Sequence, residues 1–389
     1  MLQLIFMCVL IPVIVCSEDD KCVNSINGEK GRCVSFNDCP SAKSDLKFKI
    51  QPQICSFNST SKVPIVCCLE QETRGTQSLL KRLYTDGCPA LNSVNKEPKE
   101  LKQGQKSWQK CLDHQKFVMG CDTVAEGRRS CYIDNFRNKL ISGGGGIDAV
   151  KGEFPHMALL GYGKKFSEAA FSCGGSLISE KYVLTAAHCS SARELGNVTF
   201  AVFGVLKREE KPLEENIYRV KNIIKHPMYK SPSKYHDIAL LEIDRPVQFK
   251  REVFPACLHV GNDVEDQRTY ATGWGSLGYN LENANVLQNV PLWKVSTEAC
   301  KLKFPKHRHF PDGYDSASQM CYGDDGTPRD TCSGDSGGPL QIRSNDIYCM
   351  YLILGVTSFG NVNCAQVGYP GVYSRVSHYI PWIESIVWP

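Results

Sequence analysis

Several features that would point to other functions are missing from the sequence. The net charge is only +4 over 389 residues, which gives no reason to expect nucleic acid or a membrane surface as the main partner. No two cysteines have the CxxC spacing, so a zinc site is not expected. The glycine run at residues 143–146 is not followed by GK[ST], which excludes a phosphate-binding loop.

The N-terminal apolar stretch is too short to span a bilayer. In MLQLIFMCVLIPVIVCSE it is about fourteen residues long, whereas a spanning helix needs about twenty. Its length and position predict a secretory signal at residues 1–17, although the usual positive residues before it are missing. A buried strand is the alternative. We expect a secreted, extracellular protein with no membrane span, glycosylated at Asn58 (NST) and Asn197 (NVT).

Cysteine, in contrast, is abundant. Removal of Cys8 and Cys16 with the signal leaves 18 of the 20 cysteines, and an even number in a secreted chain indicates disulfides. Residues 22–68 carry six of them, and a segment of this size needs such bridges because it cannot bury enough apolar surface. Adjacent Cys67 and Cys68 must bond to different partners, and spacing alone does not choose these.

The composition changes twice along the rest of the chain. Residues 70–140 are polar with few aromatics, and residues 93–106 are predicted to be a solvated linker. From residue 141 onward, short apolar runs such as MALLGY and IALLEI are separated by Gly, Pro and Asn, which predicts an all-β barrel or sandwich. The tail RVSHYIPWIESIV has apolar residues at helical spacing and predicts a terminal helix.

Three motifs carry the candidate chemistry: TAAHC with His188, YHDIALLEI with Asp237, and DTCSGDSGGPL with Ser336. Each alone has an ordinary structural explanation. Together, on an all-β background, they give the His, Asp, Ser order of the chymotrypsin-type triad. The serine hydroxyl needs a base to become a nucleophile, the histidine can supply it near neutral pH, and the aspartate orients the imidazole.

These motifs make residues 141–389 resemble the trypsin-like serine proteases, and the cysteine spacing ending in CC makes residues 22–68 resemble the clip domain of arthropod serine proteases. The resemblance implies an all-β fold, with a double six-stranded β-barrel preceded by a small disulfide-stapled clip domain. We therefore expect a signal peptide at 1–17, a clip domain at 18–69, a linker or propeptide at 70–140 and the protease domain at 141–389. A generic disulfide scaffold is the alternative for the first cysteine cluster.

The resemblance also implies most of the disulfide pairing. It leaves the partners of Cys88, Cys111, Cys121 and Cys349 open. The implied bridges are Cys22–Cys67, Cys33–Cys55, Cys39–Cys68, Cys131–Cys257, Cys173–Cys189, Cys300–Cys321 and Cys332–Cys364.

Substrate preference is implied in the same way. The family places the residue six before the nucleophile, here Asp330, at the floor of the substrate pocket, where a buried carboxylate needs a cationic partner. Cleavage after Arg or Lys is therefore expected. Gly360 and Gly371 match the small residues of the pocket wall, and the amides of Gly334 and Ser336 match the oxyanion hole.

In this family a zymogen becomes active when cleavage frees an Ile amine, which pairs with the aspartate just before the nucleophile, here Asp335. The sequence ISGG from Ile141 matches that start, so cleavage is expected after Leu140, although Ser142 replaces the usual Val. An enzyme with Asp330 in its pocket should cut poorly after Leu140 and would need another activator. Snake-like and persephone-like relatives also lack a basic residue there. Cleavage after Lys139, which a trypsin-like enzyme could perform, is the alternative.

The expected function is that of a secreted endopeptidase in an extracellular cascade of innate immunity, melanization, Toll activation or development. Expected partners are downstream zymogens as substrates, an upstream activating protease and serpin-type inhibitors. No cofactor is expected; the acidic stretch 209–215 lies where some relatives bind calcium, but a solvated loop is favoured. A catalytically silent clip-domain cofactor and a venom protease are the alternatives.

Overall fold

The computed structural model describes fewer residues than the chain contains. The predicted signal at 1–17, Asn58, and the junction residues Leu140 and Ile141 lie outside the described residues. The chain divides into two compact units, Met1–Pro89 with Asp122–Arg128 and Ala90–Cys121 with Arg129–Pro389. The described residues are 21–23, 30–39, 54–57, 63–69, 84–85, 88–89, 103–122, 128–131, 146–192, 194–261, 268–324, 326–327, 330–344, 346–361, 364 and 366–389.

The first unit holds a small antiparallel sheet in the order β1-β2-β4-β3 and a separate two-stranded ribbon, β5-β6. Cys67 and Cys68 are neighbours on β4, and successive side chains of a strand point to opposite faces. They accordingly reach different partners: the bridges are Cys22–Cys67, Cys33–Cys55 and Cys39–Cys68, the pairing that the resemblance implied. The strands are β1 (Lys21–Val23), β2 (Lys30–Ser35), β3 (Ile54–Phe57), β4 (Pro64–Leu69), β5 (Tyr84–Thr85) and β6 (Cys88–Pro89).

The second unit is dominated by two closed barrels, which confirms the expected double six-stranded fold. The first has the strand order β10-β11-β12-β16-β15-β14, closes through pairing of β10 with β14, and carries β13 as an extension. The bounds are β7 (Met119–Asp122), β8 (Arg128–Cys131), β9 (Ile147–Asp148), β10 (Met157–Tyr162), β11 (Ala170–Leu177), β12 (Tyr182–Thr185), β13 (Ser191–Ala192), β14 (Gly196–Phe203), β15 (Ile217–Lys225) and β16 (Ala239–Ile243).

The second barrel has the order β22-β21-β18-β19-β20-β23 and closes through pairing of β22 with β23. Strand β17 lies parallel beside β22, and β9, the first described strand after the junction, pairs with β19. The β7 and β8 strands pair with each other. The bounds are β17 (Cys257–Leu258), β18 (Thr269–Gly273), β19 (Gln288–Lys294), β20 (Gln319–Gly323), β21 (Pro339–Arg343), β22 (Tyr351–Phe359) and β23 (Gly371–Arg375).

Among the described residues, three α-helices accompany the sheets: α1 (Gln105–Val118), α2 (Thr297–Lys303) and α3 (Val376–Val387). The terminal helix expected from the tail is α3, with Pro381 inside it. None of the described helices is both long and apolar enough to cross a membrane. Single 3-10 turns occur at Phe36–Asp38, Phe166–Glu168, Ala187–Ser190 and Glu214–Asn216.

Helix α1 lies in the segment for which the sequence suggested only a linker. It packs on β17 and α3, and its Cys111 and Val118 belong to the apolar core of the second unit. Its first turn is bound to α3, because Oε1 of Glu384 on α3 accepts the Ser107 N–H at 2.6 Å. Residues 105–118 are therefore part of the catalytic body.

The expected bridge Cys131–Cys257 is wrong. Cys257 bonds instead to Cys111, which α1 places at β17, and Cys131 bonds to Cys349. The error follows from the missed helix, because a helix seated on β17 brings its own cysteine to Cys257. The side chains of Cys88 and Cys121 lie outside the described residues.

Candidate active site

Ser336 lies where the two barrels meet. On the side of the first barrel, the Gly174 N–H on β11 donates to the Ser336 carbonyl at 2.9 Å; on the side of the second, the Gly337 N–H donates to the Thr357 carbonyl at 2.9 Å. Gly337 has φ +78°, and a Cβ there would collide with Thr185 Oγ1. Only glycine lets the nucleophile loop approach the end of β12 this closely.

His188 follows β12 in the turn Ala187–Ser190, and Asp237 precedes β16. The imidazole Nδ1 donates to Asp237 Oδ2 at 2.7 Å, and the His188 backbone N–H donates to Asp237 Oδ1 at 2.8 Å. This carboxylate therefore fixes the ring and the tautomer, with the proton on Nδ1 and a lone pair on Nε2.

Two serines complete the surroundings of Asp237. Ser358 Oγ donates to Asp237 Oδ2 at 2.5 Å, and Ser374 Oγ donates to the Asp237 carbonyl at 2.8 Å. Burial would raise the pKa of Asp237, but the charge that His188 carries when protonated and the hydrogen bonds from His188 and Ser358 outweigh it and lower that pKa. The carboxylate thus stays ionised and can stabilise an imidazolium.

The structure joins His188 to Asp237 but not yet to the nucleophile. Within the described residues, no hydrogen bond links Ser336 Oγ to His188. Such catalytic contacts are commonly loose without substrate and tighten when it binds. Ser336 lines a cavity together with Ser358, which bonds Asp237, so the three triad residues lie around one site.

The expected oxyanion-hole residues lie on a tight turn. Gly334 has φ +101°, and a Cβ there would come within 2.9 Å of Gly275 Cα. Among the residues that the structure describes, neither the Gly334 N–H nor the Ser336 N–H donates to another protein group. Both amides are therefore available to a substrate carbonyl oxygen.

A cavity of about 210 Å³ opens beside Ser336 and is lined in part by Gly360, and both expected wall glycines lie next to Asp330. A Cβ at Gly360 would lie 3.6 Å from Asp330 Oδ2, and one at Gly371 would lie 3.1 Å from Asp330 Oδ1. Larger residues at these positions would block access to the carboxylate. The lining residues are Thr331, Cys332, Ser333, Ser336, Thr357, Ser358, Phe359, Gly360, Asn361 and Cys364.

Asp330 is only 8% exposed. Its Oδ1 accepts the Thr331 N–H at 2.7 Å, whereas Oδ2 has no hydrogen-bond partner among the described residues. Burial raises the pKa of Asp330 to about 7; the Thr331 amide opposes this rise and the nearby Asp335 charge adds to it. A buried carboxylate oxygen without a partner, next to the cavity-lining Gly360, is suited to an incoming cation.

Asp335 lies in the nucleophile loop, between Gly334 and Ser336 in the sequence. Its two carboxylate oxygens accept the N–H groups of Gly275 at 2.8 Å and Cys332 at 2.9 Å. Burial raises the pKa of Asp335 to about 6, although these two hydrogen bonds oppose the rise. Its expected partner, the amine of Ile141, lies outside the described residues.

Three bridges hold the loops of the site, in the pairing that the resemblance implied. Cys173–Cys189 fastens the His188 turn to β11, and Cys300–Cys321 fastens α2 to β20. Cys332–Cys364 ties the nucleophile loop to the far wall of the cavity. Of the two expected glycosylation residues, Asn197 is exposed on β14 and thus accessible.

Potential metal ligands come together in two places among the described residues. One group is Cys22, Cys33 and Cys55, and the other is Cys173, His188 and Cys189. Every cysteine in both groups is in a disulfide and offers no thiolate. Neither group is therefore suited to hold a metal.

The acidic stretch considered for calcium contains Glu210, whose carboxylate pairs with Lys151. Glu210 Oε2 also accepts the N–H groups of Leu206 at 2.8 Å and Lys207 at 3.2 Å. Burial would raise the pKa of Glu210, but these hydrogen bonds and Lys151 lower it. The ammonium group of Lys151 thus already neutralises the Glu210 carboxylate.

Comparison with known proteins agrees with this geometry. Residues 144–383 match the family model described as Trypsin. The chain is 30% identical over 371 residues to Serine protease snk of Drosophila melanogaster, covering 94% of this chain and 78% of that one. It is 29% identical over 390 residues to Phenoloxidase-activating factor 1 of Holotrichia diomphalia, with 93% and 92% covered. It is 34% identical over 388 residues to CLIP domain-containing serine protease B4 of Anopheles gambiae, with 94% and 92% covered.

Proposed function

This chain belongs to the trypsin family, among the arthropod clip-domain serine proteases, and is a serine endopeptidase, and we propose that it is a secreted zymogen that cleaves protein substrates after Arg or Lys. The observation that carries the specificity is the buried, unpartnered Oδ2 of Asp330, which lies next to Gly360 of the cavity beside Ser336. Arg and Lys side chains are long enough to reach it and carry the charge that it needs.

Catalysis follows from the triad geometry. Ser336 Oγ attacks the carbonyl carbon of the cleaved residue while His188 Nε2 takes the hydroxyl proton. The developing oxyanion accepts hydrogen bonds from the Gly334 and Ser336 amides; one such donor is typically worth about 3 kcal/mol of barrier. The imidazolium, stabilised by Asp237, then protonates the leaving amine, and water hydrolyses the acyl-enzyme by the same route in reverse.

Activation is proposed at the Leu140–Ile141 bond. Asp335 supports this proposal, because its buried carboxylate has only backbone N–H groups as hydrogen-bond donors among the described residues, and burial raises its pKa. A new ammonium from Ile141 would neutralise it and stabilise the loop that carries Gly334. Cleavage after Lys139 is the alternative; it would leave Leu140 as the new N-terminus, one residue before Ile141.

Secretion and a place in a proteolytic cascade are supported by composition and by relatives. Eight disulfides among the described residues are typical of an oxidising compartment. One relative is named as an activator of phenoloxidase, which favours a downstream zymogen as substrate, an upstream activating protease and serpin-type inhibitors as partners. Glycosylation is proposed at Asn58 and Asn197. No cofactor is proposed, and chelation of calcium should leave the melting temperature unchanged.

The specificity proposal is tested with peptide amides that differ only in the residue before the cleaved bond. The activated enzyme should cleave the Arg and Lys substrates and leave the Leu and Phe substrates nearly untouched. Asp330→Asn should lower kcat/KM for the Arg substrate by roughly a hundredfold or more, because a buried charge loses its partner. Ser336→Ala should abolish all cleavage. A preference for Leu or Phe would contradict the proposal.

A further inference from the structure

A basic rim lies beside the substrate cavity and has no role in the function proposed above. We use this name for Lys234 together with the loop 301–309. Loop 301–309 contains four Lys or Arg residues, two His and no Asp or Glu, and all six basic side chains are exposed. These six are Lys301, Lys303, Lys306, His307, Arg308 and His309.

The loop is held firmly in place. Its start belongs to α2, which Cys300–Cys321 ties to β20. Its end is fixed by Phe310, which is fully buried. His307 and Phe310 exchange two backbone hydrogen bonds, at 3.0 and 2.8 Å, so that Arg308 lies in the tight turn between them. The charges are therefore displayed on a rigid element.

The basic rim adjoins the cavity through Phe359. Phe359 lines the cavity, and its ring contacts Phe304 of the loop and Phe310, which follows the loop, with centroids 5.6 and 5.3 Å away. Lys234 Nζ lies 5.3 Å from the centroid of Phe359, and the Lys234 N–H donates to the His309 carbonyl at 3.2 Å.

A second cation approaches the same area, since Lys303 Nζ lies 4.3 Å from the ring centroid of Tyr369, two residues before the wall glycine Gly371. Lys234 and the four Lys and Arg residues of loop 301–309 form no ion pair with any carboxylate among the described residues. The acidic residues adjoining the loop in sequence are Glu298 and Asp312. The rim is thus a surface of uncompensated positive charge.

We propose that the basic rim selects protein substrates that carry Asp or Glu one to three residues before the cleaved Arg or Lys; this proposal rests on the proposed function and narrows its substrate class. An extended peptide advances about 3.3 Å per residue. With the cleaved residue in the cavity, residues one to three positions from it would lie roughly 3–10 Å away; where the chain before the bond passes over Phe359, they come within reach of Lys234 and Lys303.

The chain itself does not fit this preference at the alternative junction. The three residues before Lys139 are Phe136, Arg137 and Asn138, which include a cation and no acid. The rim would repel Arg137, so self-cleavage after Lys139 should be slow. Because self-cleavage is slow, we expect a different protease to activate the zymogen.

The test compares matched fluorogenic peptides cleaved by the activated full-length enzyme. One peptide carries Asp or Glu at the three positions before a common Arg, a second carries Asn or Gln there, and a third carries the acids after the cleaved bond. At low salt, kcat/KM for the first should exceed that for the second by about tenfold, since exposed ion pairs are individually weak but several act together. Raising the salt from about 0.05 to 0.5 M should reduce the difference.

Variants separate the rim from the rest of the surface. Combined Lys234→Gln, Lys303→Gln, Lys306→Gln and Arg308→Gln substitutions should remove the preference while leaving cleavage of the neutral peptide unchanged. The control Lys164→Gln, an exposed lysine on another part of the protein, should keep it.

The remaining outcomes overturn the proposal in distinguishable ways. Equal rates for the acidic and neutral peptides, or a preference for acids after the bond, would refute the rim's selectivity while leaving the protease function intact. If a sulfated polysaccharide changes the rate only when the rim is intact and acidic peptides show no preference, the rim is a polyanion site instead. Failure to cleave any Arg peptide would refute the proposed function itself.

Discussion

The pKa of Asp330 makes the binding of a cationic substrate depend on pH. Burial raises the pKa of this carboxyl to about 7. At pH 6 the Asp330 carboxyl is therefore mostly protonated when no cation is bound. A bound amidine or guanidinium favours the ionised form and must displace the proton. The affinity for benzamidine should therefore rise with pH up to about 7 and level off above it.

Calorimetric titration in two buffers of different protonation enthalpy would measure the released proton. The Asp330→Asn variant should bind weakly and with no pH dependence over this range. A wild-type affinity that stays constant between pH 5 and 7 would contradict the assignment of Asp330 as the cation receptor.

Asp335 makes the stability of the chain depend on activation. Its folded pKa of about 6 lies above the unfolded value of about 3.9, so the folded chain binds more protons between these values. Stability of the uncleaved chain is therefore lost as pH rises from about 4 to 6. Pairing with a new amine would lower the pKa of Asp335 and remove this loss.

We accordingly expect cleavage at the junction to raise the melting temperature more at pH 7.5 than at pH 5. The Asp335→Asn variant should show the same small change at both pH values. Differential scanning calorimetry of cleaved and uncleaved protein measures this difference. An equal gain at both pH values in the wild type would argue against an Asp335–amine pair.

The sequence identified the triad because the residues around each member are as informative as the member itself. TAAHC, HDIAL and GDSGGP each place a chemically competent side chain beside small residues that the fold requires. Ser358 and Ser374, which bind Asp237, were missed. A serine within a strand carries no local pattern that indicates a partner more than a hundred residues away in sequence.

At the scale of elements, helix α1 shows where composition misleads. The segment QKSWQKCLDHQKFV has low overall hydropathy, typical of a solvated linker. Yet Trp108, Cys111, Leu112 and Val118 recur at helical spacing, and the face they form packs on the protease body. The narrow apolar face becomes stable only because β17 and α3 cover it, and a single sequence does not show those partners.

The contact between α1 and α3 can be tested at Glu384. Its carboxylate accepts the Ser107 N–H at 2.6 Å, in the first turn of α1, where backbone donors have no partner within the helix. Glu384→Ala should lower the free energy of unfolding by about 1 kcal/mol, the usual cost of a lost helix cap. Urea denaturation measures the change.

The exposed Glu214 provides a matched control, and Glu214→Ala should change the free energy of unfolding by less than about 0.5 kcal/mol. If Glu384→Ala is as neutral as this control, α1 is not anchored through α3. A loss of activity without a loss of stability would also contradict the account, because Glu384 lies outside the catalytic machinery.

At the scale of the whole molecule, two bridges among the described residues join the segment before the junction to the catalytic body. Cys111–Cys257 and Cys131–Cys349 both cross the predicted cleavage site in sequence. Cleavage should therefore leave one covalent species on a denaturing gel without reductant and two with it. Replacing Cys131 and Cys349 by Ser should still leave one species, held by Cys111–Cys257.

Only removal of both pairs should release the light chain without reductant. Its release after loss of the Cys131–Cys349 pair alone would show that Cys111–Cys257 does not form. The family resemblance predicted one such tether but chose the wrong partner, because it treated the segment before the junction as structureless.

The most direct test of the central claim is the N-terminal sequence of the heavy chain in the active enzyme. The zymogen is treated in parallel with chymotrypsin and with trypsin, and each sample is assayed on an Arg-ending amide. We predict an N-terminus at Ile141, with activity appearing only in the sample cut there. Turnover by the uncleaved chain, or no turnover after quantitative cleavage at Ile141, would contradict the account of a zymogen whose new amine completes the active site.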